Sequence, residues 1–228
     1  MVGAPISPSS HRRRFWAGPT GVVFALVTVV AVALSVAATA AAVPRSRPAA
    51  ASPAQAYGWG ANNYGQLGDG TTLVRHLPVA VHLPLGTTIR ALAAGSDFSL
   101  ALTSSGTGLA WGGNEYGQLG DGTTLVRNSP VPVQLPVGVT IKAIAAGEGG
   151  TVPGFISGAF SLAVTSSGTV LAWGLNNYGQ LGDGTTQVRH LPVPVQLPAG
   201  TTVTSVAAGS DFSLAVTSSG TVLAWGGY

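Results

Sequence analysis

The sequence of 228 residues contains no cysteine, and only 7% of its residues are charged. Without cysteine the chain cannot use a disulfide framework, a zinc–thiolate site or a thiol nucleophile. Globular domains have about 25% charged residues, so Thr, Ser, Asn, Gln and backbone groups must form much of this protein's surface. The hydrophobic share of 46% is nevertheless too high for a chain that is disordered throughout.

The formal net charge of +3 originates in the N-terminal part of the sequence. From residue 57 onward, five basic residues stand against seven acidic ones, which gives a net charge of −2. Binding to nucleic acid requires a basic surface that displaces counterions from phosphates. The charge balance therefore argues against a nucleic-acid partner.

A long apolar segment predicts export. Residues 22–43 carry no charge and, at about 1.5 Å per residue, would cross the roughly 30 Å apolar core of a membrane as a helix. Arg12, Arg13 and Arg14 precede it, which predicts a cytoplasmic N-terminus and places the rest outside. Small residues such as Ala38 and Ala40 favour a cleaved signal over a permanent anchor. We assign residues 1–42 to an export signal or membrane anchor and 43–56 to a Pro/Ala-rich linker. The route, general secretion or twin-arginine export, stays open.

The remainder of the chain, residues 57–228, is a repeat. Trp59, Trp111, Trp173 and Trp225 are separated by 52, 62 and 52 residues, and units 59–110 and 173–224 are identical at 41 of 52 positions. Each unit opens with Trp-Gly-x-Asn-x-Tyr-Gly-Gln-Leu-Gly-Asp-Gly-Thr-Thr. The middle unit carries ten additional residues. Such a period is typical of a propeller or another repeat array.

Each unit has the pattern of short β-strands. In the third unit, residues 193–197, 201–207, 212–217 and 221–225 are short apolar or alternating runs, and Ser-Ser-Gly links the last two as a hairpin. No segment of the repeat shows helical periodicity. We predict an all-β fold, a partial β-propeller of about three to four blades with four antiparallel strands each, preceded by the N-terminal hydrophobic helix.

The unit resembles the RCC1 repeat, the blade of the regulator of chromosome condensation family, and this chain is similar to exported bacterial members. The resemblance rests on three copies of Trp-Gly-x-Asn-x-x-Gly-Gln-Leu-Gly-x-Gly. Phe98, Phe160 and Phe212 stand where family repeats often have His, which predicts a drier contact between blades. The tryptophans and loop glycines are expected to be structural: Trp59, Gly65, Gly68, Trp111, Gly117, Gly120, Trp173, Gly179, Gly182 and Trp225.

The polar motifs indicate turns and not catalytic or ligand-binding sites. No helix follows the Gly-Gln-Leu-Gly-Asp-Gly segment, so its glycines predict a tight turn with positive φ and not a phosphate loop. Each such loop offers one carboxylate, too few for calcium, and an Asx turn explains Asp69 and its equivalents. His76 and His190 are equivalent, but the middle unit has Asn128 there. We therefore predict no catalytic residue, no metal site and no cofactor.

Two features predict a partner. The insertion 148–159 would present Glu148, Phe155 and Ile156 on a rigid scaffold, and Arg75, Arg127 and Arg189 repeat one charge around the array. We predict an exported, non-enzymatic module that binds an unidentified extracellular protein. By family analogy the alternatives are a guanine-nucleotide exchange factor, like the nuclear members that act on the Ran GTPase, and a structural array anchored in the membrane. Uncharged strands at both ends of the repeat also predict a homo-oligomer through free β edges.

Overall fold

The computed structural model describes residues 56–148 and 159–227, and within these ranges the protein is all β. The predicted N-terminal helix, residues 43–55 of the linker, Phe155 and Ile156 lie outside the described residues. No helix in the described ranges could span a membrane. The strands of these ranges are β1 (Tyr57–Gly60), β2 (Arg75–Ala80), β3 (Ile89–Ala94), β4 (Phe98–Thr103), β5 (Gly108–Gly112), β6 (Arg127–Pro132), β7 (Ile141–Ala146), β8 (Phe160–Thr165), β9 (Val170–Gly174), β10 (Arg189–Pro194), β11 (Val203–Ala208), β12 (Phe212–Thr217) and β13 (Val222–Gly226).

The strands form antiparallel sheets in chain order, each of which we call a blade. Two blades are complete, with the orders β3-β4-β5-β6 and β7-β8-β9-β10. The β11-β12-β13 sheet has three strands, and β1-β2 forms a half-blade. The expected four-stranded blades are therefore confirmed for two sheets, and the described residues complete neither of the other two. A sequence unit also straddles two sheets, because the tryptophan strand is the third strand of a blade and not its first.

The blades repeat the same register. Ser99 of β4 lies opposite Trp111 of β5, and Ser161 of β8 lies opposite Trp173 of β9. The pairing of β5 with β6 shifts at Gly112, whose φ of 107° is unfavourable for residues with a side chain. A bulge of this kind bends the fourth strand of the blade, which we call the outer strand.

The core lies between blades. We call the face with Phe98, Leu100 and Leu102 the leading face of a blade, and the opposite face, which carries the tryptophan, its trailing face. The leading face of β3–β6 packs against the trailing face of β7–β10. Phe160, Leu162 and Val164 pack in the same way against the β11–β13 blade. Phe98 and Phe160 are 2% and 0% exposed, so the contact is dry.

The predicted strand bounds differ from the structure mainly in the outer strand. Residues 212–217 form β12 as predicted, and the two neighbouring strands are shifted by one or two residues. The strand predicted at 193–197 begins instead at Arg189 and ends at Pro194. The Leu197 amide donates to the Val195 carbonyl at 3.1 Å, which turns the chain out of the sheet.

Candidate functional site

The loop between the third and fourth strand of a blade is held by side chains of its own unit. In the first copy, Asn62 Oδ1 accepts the Leu67 amide at 2.9 Å, and Asn62 Nδ2 donates to Asp69 Oδ1 at 3.2 Å. Asp69 Oδ1 also accepts the amide and the hydroxyl of Thr71, at 3.0 and 2.7 Å. This is the Asx turn expected from the sequence, closed in addition by an asparagine seven residues earlier. The other loops repeat these bonds around Asn114 with Asp121 and Asn176 with Asp183.

The repeated arginines bind these loop aspartates. Arg127 Nε and Nη2 donate to Asp121 Oδ2 at 2.8 and 2.7 Å, and Arg75 contacts Asp69 in the same way. Arg189 Nε donates to Asp183 Oδ2 at 2.7 Å. The arginine side chains remain 30 to 34% exposed. The guanidinium groups thus balance a buried charge and still reach the surface, and their predicted role in partner binding stays a prediction.

Electrostatics keep the loop carboxylates charged. Burial alone would raise the pKa of Asp121, because desolvation disfavours the anion. Hydrogen bonds from Thr123 and Arg127 outweigh burial, so the pKa lies below the ordinary value of 3.8. The same balance lowers the pKa of Asp69 and of Asp183. Each loop therefore holds a fixed ion pair at neutral pH.

The backbone of each loop binds the next blade. The carbonyl oxygen of Gln118 accepts Trp173 Nε1 at 2.9 Å and Ser161 Oγ at 2.8 Å. The carbonyl of Gln66 accepts Trp111 and Ser99 in the same way, and that of Gln180 accepts Trp225 and Ser213. The repeated motif is therefore a structural link from one blade to the following one.

The loop glycines make this link possible. Gly68, Gly120 and Gly182 have φ values of 69°, 65° and 63°. A Cβ on any of them would lie within 2.8 Å of the indole nitrogen of the next blade's tryptophan. Only glycine satisfies both the positive φ and the close approach. These residues position the blades, and none of them offers a reactive group.

The described residues contain no group of three or more His, Cys, Asp or Glu that could hold a metal ion. His76, His82 and His190 are exposed. The loop aspartates belong to different blades, and each is neutralised by an arginine of its own unit. This arrangement gives no nucleophile with an adjacent base.

An exposed apolar strip, not anticipated from the sequence, precedes the outer strands. Leu73 and Val74 are 60% and 51% exposed, and Leu125 and Val126 in the next unit are 59% and 48% exposed. We call these four residues the Leu-Val rim. The Gly70 amide donates to the Asn128 carbonyl at 2.9 Å, so the loop that carries the first pair contacts the strand that follows the second pair. Alignment of the units could have indicated the exposure, because the third unit has Gln187 where the others have leucine.

The predicted insertion site is described only at its first and last residues. Glu148 is exposed and follows β7, whereas Phe155 and Ile156 lie outside the described residues. The partner role assigned to these three residues therefore stays a prediction.

Two further surfaces lie at the incomplete blades. A small cleft lies between the half-blade and the β3–β6 blade, and Trp59, Leu92, Ala94 and Trp111 are among its lining residues. The described residues also leave the leading face of β11–β13 partly exposed, with Phe212 46% exposed.

Successive antiparallel blades that share their cores define a β-propeller-type array. Three stretches of the sequence, residues 54–102, 105–152 and 167–216, match the Regulator of chromosome condensation (RCC1) repeat, and residues 89–118 match a second model of it. The chain belongs to the RCC1 repeat family, as the resemblance of its repeated motif to that family predicted.

The chain is similar to parts of two longer proteins. The chain is 34% identical over 169 residues to the ultraviolet-B receptor UVR8 of Arabidopsis thaliana, covering 74% of this chain and 36% of the receptor. It is 33% identical over 172 residues to the E3 ubiquitin-protein ligase HERC2 of Homo sapiens, covering 75% of this chain and 3% of the ligase. The chain thus spans about a third or less of these relatives.

Solved structures share the fold. Human WBSCR16 superimposes with a TM-score of 0.64 and 26% identity, over 75% of this chain and 42% of that protein. Prp20p of Saccharomyces cerevisiae, a protein with binding properties to Gsp1p and histones, superimposes with a TM-score of 0.60 and 27% identity, over 75% of this chain and 39% of Prp20p.

Proposed function

We propose that this protein is a non-enzymatic interaction module that acts outside the cytoplasmic membrane and binds another protein through the Leu-Val rim. The observation that carries the proposal is the exposure of the same apolar pair on consecutive blades, at 48 to 60% for each residue. A repeated apolar strip on a surface with few charges is a common feature of protein interfaces.

The arginines strengthen this surface. Arg75 and Arg127 directly follow the two rim segments, and their ion pairs with Asp69 and Asp121 fix the guanidinium groups. Arginine is one of the residues that are enriched in binding hot spots. Because the ion pairs already hold these two arginine side chains, they would lose little conformational entropy when a partner binds.

The proteins that resemble this chain support the proposal that its partner is a protein. Prp20p has binding properties to Gsp1p and histones, and yeast RCC1 forms a complex with Kap60. The present chain spans 39% of those chains, so their particular partners are not assigned to it.

Export can be tested by fusing alkaline phosphatase, which is active only after export, behind Tyr228. We expect an active fusion, because Arg12, Arg13 and Arg14 precede the uncharged segment 22–43. The same fusion without residues 1–42 is the control and should be inactive. An inactive full-length fusion in the cytosol would contradict export. N-terminal sequencing of the active fusion distinguishes cleavage near Ala42 from a retained anchor.

Binding can be tested by photo-crosslinking in the producing culture. A benzophenone amino acid at Leu73 is expected to yield one discrete protein adduct, because the rim contacts the partner. Leu125→Gln in the same chain should reduce the adduct by about tenfold, equivalent to roughly 1.4 kcal/mol of binding. Gln187 stands at the equivalent position of the third unit, so the fold accommodates this substitution.

The matched control places the probe at Leu85 or Val137. These side chains are 104% and 105% exposed but lie in the turn after the outer strand, away from the rim. Equal labelling there would show nonspecific adhesion of apolar groups and contradict the proposal. The absence of a discrete adduct at Leu73 would contradict it as well.

A further inference from the structure

We propose that Arg90 and Lys142 form a basic site that binds an acidic segment of a protein partner, at the end of the array opposite to the Leu-Val rim. This inference is independent of the function proposed for the rim. Three observations carry it. Both residues lie at a bulge in the first strand of a blade, neither has a carboxylate beside it in the described part of the chain, and the unpaired acidic residues there lie at the other end of the strands.

The bulge directs the two cations away from the core. The register of β3 with β4 shifts between Ile89 and Ala91, which makes Arg90 the extra residue of a bulge. Strand β7 repeats this shift around Lys142. Ile89 packs with the trailing face of its blade and Ala91 with the leading face, so the residue between them faces neither neighbouring blade. Arg90 is accordingly exposed, and Lys142 is half-buried.

The two cations belong to strands that are neighbours in space. Cα atoms of β3 approach those of β7 to within 8 Å, and β7 in turn lies beside β11. The blades therefore converge at their first strands. Because Arg90 and Lys142 occupy equivalent positions of adjacent strands and have long side chains, one ligand can contact both.

Both charges are unbalanced within residues 56–148 and 159–227. The other three cations of these ranges, Arg75, Arg127 and Arg189, each form an ion pair with a loop aspartate. No carboxylate of the described residues lies within 4.0 Å of the Arg90 or Lys142 side-chain nitrogens. The two positive charges are therefore available to an anion from outside the chain.

The acidic residues without an ion pair lie at the opposite end of the strands. Arg90 and Lys142 are the second residues of β3 and β7, so they lie where the first strands begin. The acidic residues lie in the loops after β3, β5, β7 and β11, and are Asp97, Glu115, Glu148 and Asp211. An acidic ligand is thus attracted to one end of the array and repelled from the other.

Exposed hydroxyl groups lie at the same end as the cations. The Ser104 amide donates to the Thr88 carbonyl at 2.8 Å, and the Ser166 amide donates to the Thr140 carbonyl at 2.9 Å. These bonds join each hairpin to the turn before a first strand, and all four side chains are exposed. A hydroxyl can donate a hydrogen bond to a carboxylate oxygen, so the basic end offers neutral donors beside its two charges.

A segment with several carboxylates fits this surface better than a single anion. An exposed ion pair contributes little by itself, because water and salt screen it. A segment with neighbouring Asp or Glu residues can contact both cations, and its second contact is then intramolecular. Nucleic acid also carries repeated charges, but the net charge of −2 from residue 57 onward disfavours a long polyanion.

The basic site and the Leu-Val rim can be occupied at the same time. The rim residues directly precede β2 and β6, and each of these outer strands ends at the side where the next first strand begins. The rim and the basic site therefore lie at opposite ends of the blades. A molecule with both surfaces would connect two different proteins.

Fluorescence anisotropy of a labelled hexaglutamate peptide, titrated with the exported protein, tests the proposal. We expect binding that weakens as the salt concentration rises. Thr204→Lys should tighten it by about fivefold, because Thr204 is the exposed bulge residue of β11 and the lysine would add a third cation. Thr186→Lys adds the same charge in an exposed loop at the opposite end and is the matched control. It should leave the affinity nearly unchanged.

The complementary variant combines Arg90→Gln with Lys142→Gln. We expect it to weaken peptide binding by about tenfold. Thr204 shows that the bulge accommodates an uncharged residue, so circular dichroism should not change. Crosslinking through Leu73 should not change either, which separates this site from the rim.

Four outcomes would overturn the proposal. They are the absence of peptide binding to the wild type, full binding by the double variant, equal effects of Thr204→Lys and Thr186→Lys, and displacement of the peptide by inorganic phosphate beyond that by sodium chloride of equal ionic strength. Tighter binding of an oligothymidylate than of hexaglutamate would assign the site to nucleic acid and contradict the proposed partner.

Discussion

Replacing Trp173 with alanine is expected to lower the free energy of unfolding by about 3–5 kcal/mol, the usual cost of truncating a large buried aromatic residue. Trp173 is 0% exposed and packs between the two complete blades. Its indole N–H donates to the Gln118 carbonyl at 2.9 Å, so the truncation also leaves that acceptor without this donor. Denaturant titration of the full chain, followed by circular dichroism, measures the loss.

Trp59→Ala is the matched control for this experiment. Trp59 occupies the same position of the repeat, but it lies in the half-blade and is 37% exposed. We expect a loss below about 1 kcal/mol, typical of a partly exposed site. Equal losses for the two variants would show that contact between blades does not determine the stability of the array.

The second large effect is expected at Gly120. An alanine there must adopt a φ of 65°, which costs about 1–2 kcal/mol for a residue with a Cβ. Its Cβ would also lie 2.7 Å from Trp173 Nε1, and moving the indole breaks the bond to Gln118. Overpacking of this kind adds about 1–3 kcal/mol. Gly120→Ala should therefore destabilise the protein by about 2–5 kcal/mol in the same titration.

Gly138→Ala separates the two contributions. Gly138 has a similar φ of 76°, and a Cβ there would meet nothing within 4 Å. Only the conformational cost of about 1–2 kcal/mol is then expected. If Gly120→Ala and Gly138→Ala have the same effect, the close approach of loop and tryptophan is not a determinant of stability.

Local features of this protein are readable from its sequence. The Gly-Asp-Gly-Thr-Thr segment predicts the turn at Asp69, because an aspartate accepts the amide of the residue two positions later. The run at residues 212–217 predicts β12 because its turn signals are local. The repeated sequence motif also predicts the family and the four strands of a complete blade.

Other features depend on which residues become neighbours. A repeated sequence does not indicate where one structural unit ends and the next begins. The sequence therefore does not show that the tryptophan strand is the third strand of its sheet. Asp121 and Arg127 keep a spacing of six residues in all units, but that spacing alone does not show that the loop folds back to join the two charges. Phe98 and Phe212 share the local sequence Ser-Asp-Phe-Ser-Leu-Ala, but they are 2% and 46% exposed. Burial here is decided by the adjacent blade.

The link between blades has a consequence for how such a gene can change. Its acceptor is the backbone carbonyl of Gln118 or an equivalent residue, and its donor is the tryptophan of the next unit. Every junction therefore has the same chemistry, whichever two units meet. Unequal crossing-over between the segments that encode these similar units would add or remove one whole unit, and each new junction would again join a carbonyl to an indole. The length of the array can change in a single recombination event without creating an unmatched hydrogen-bonding group.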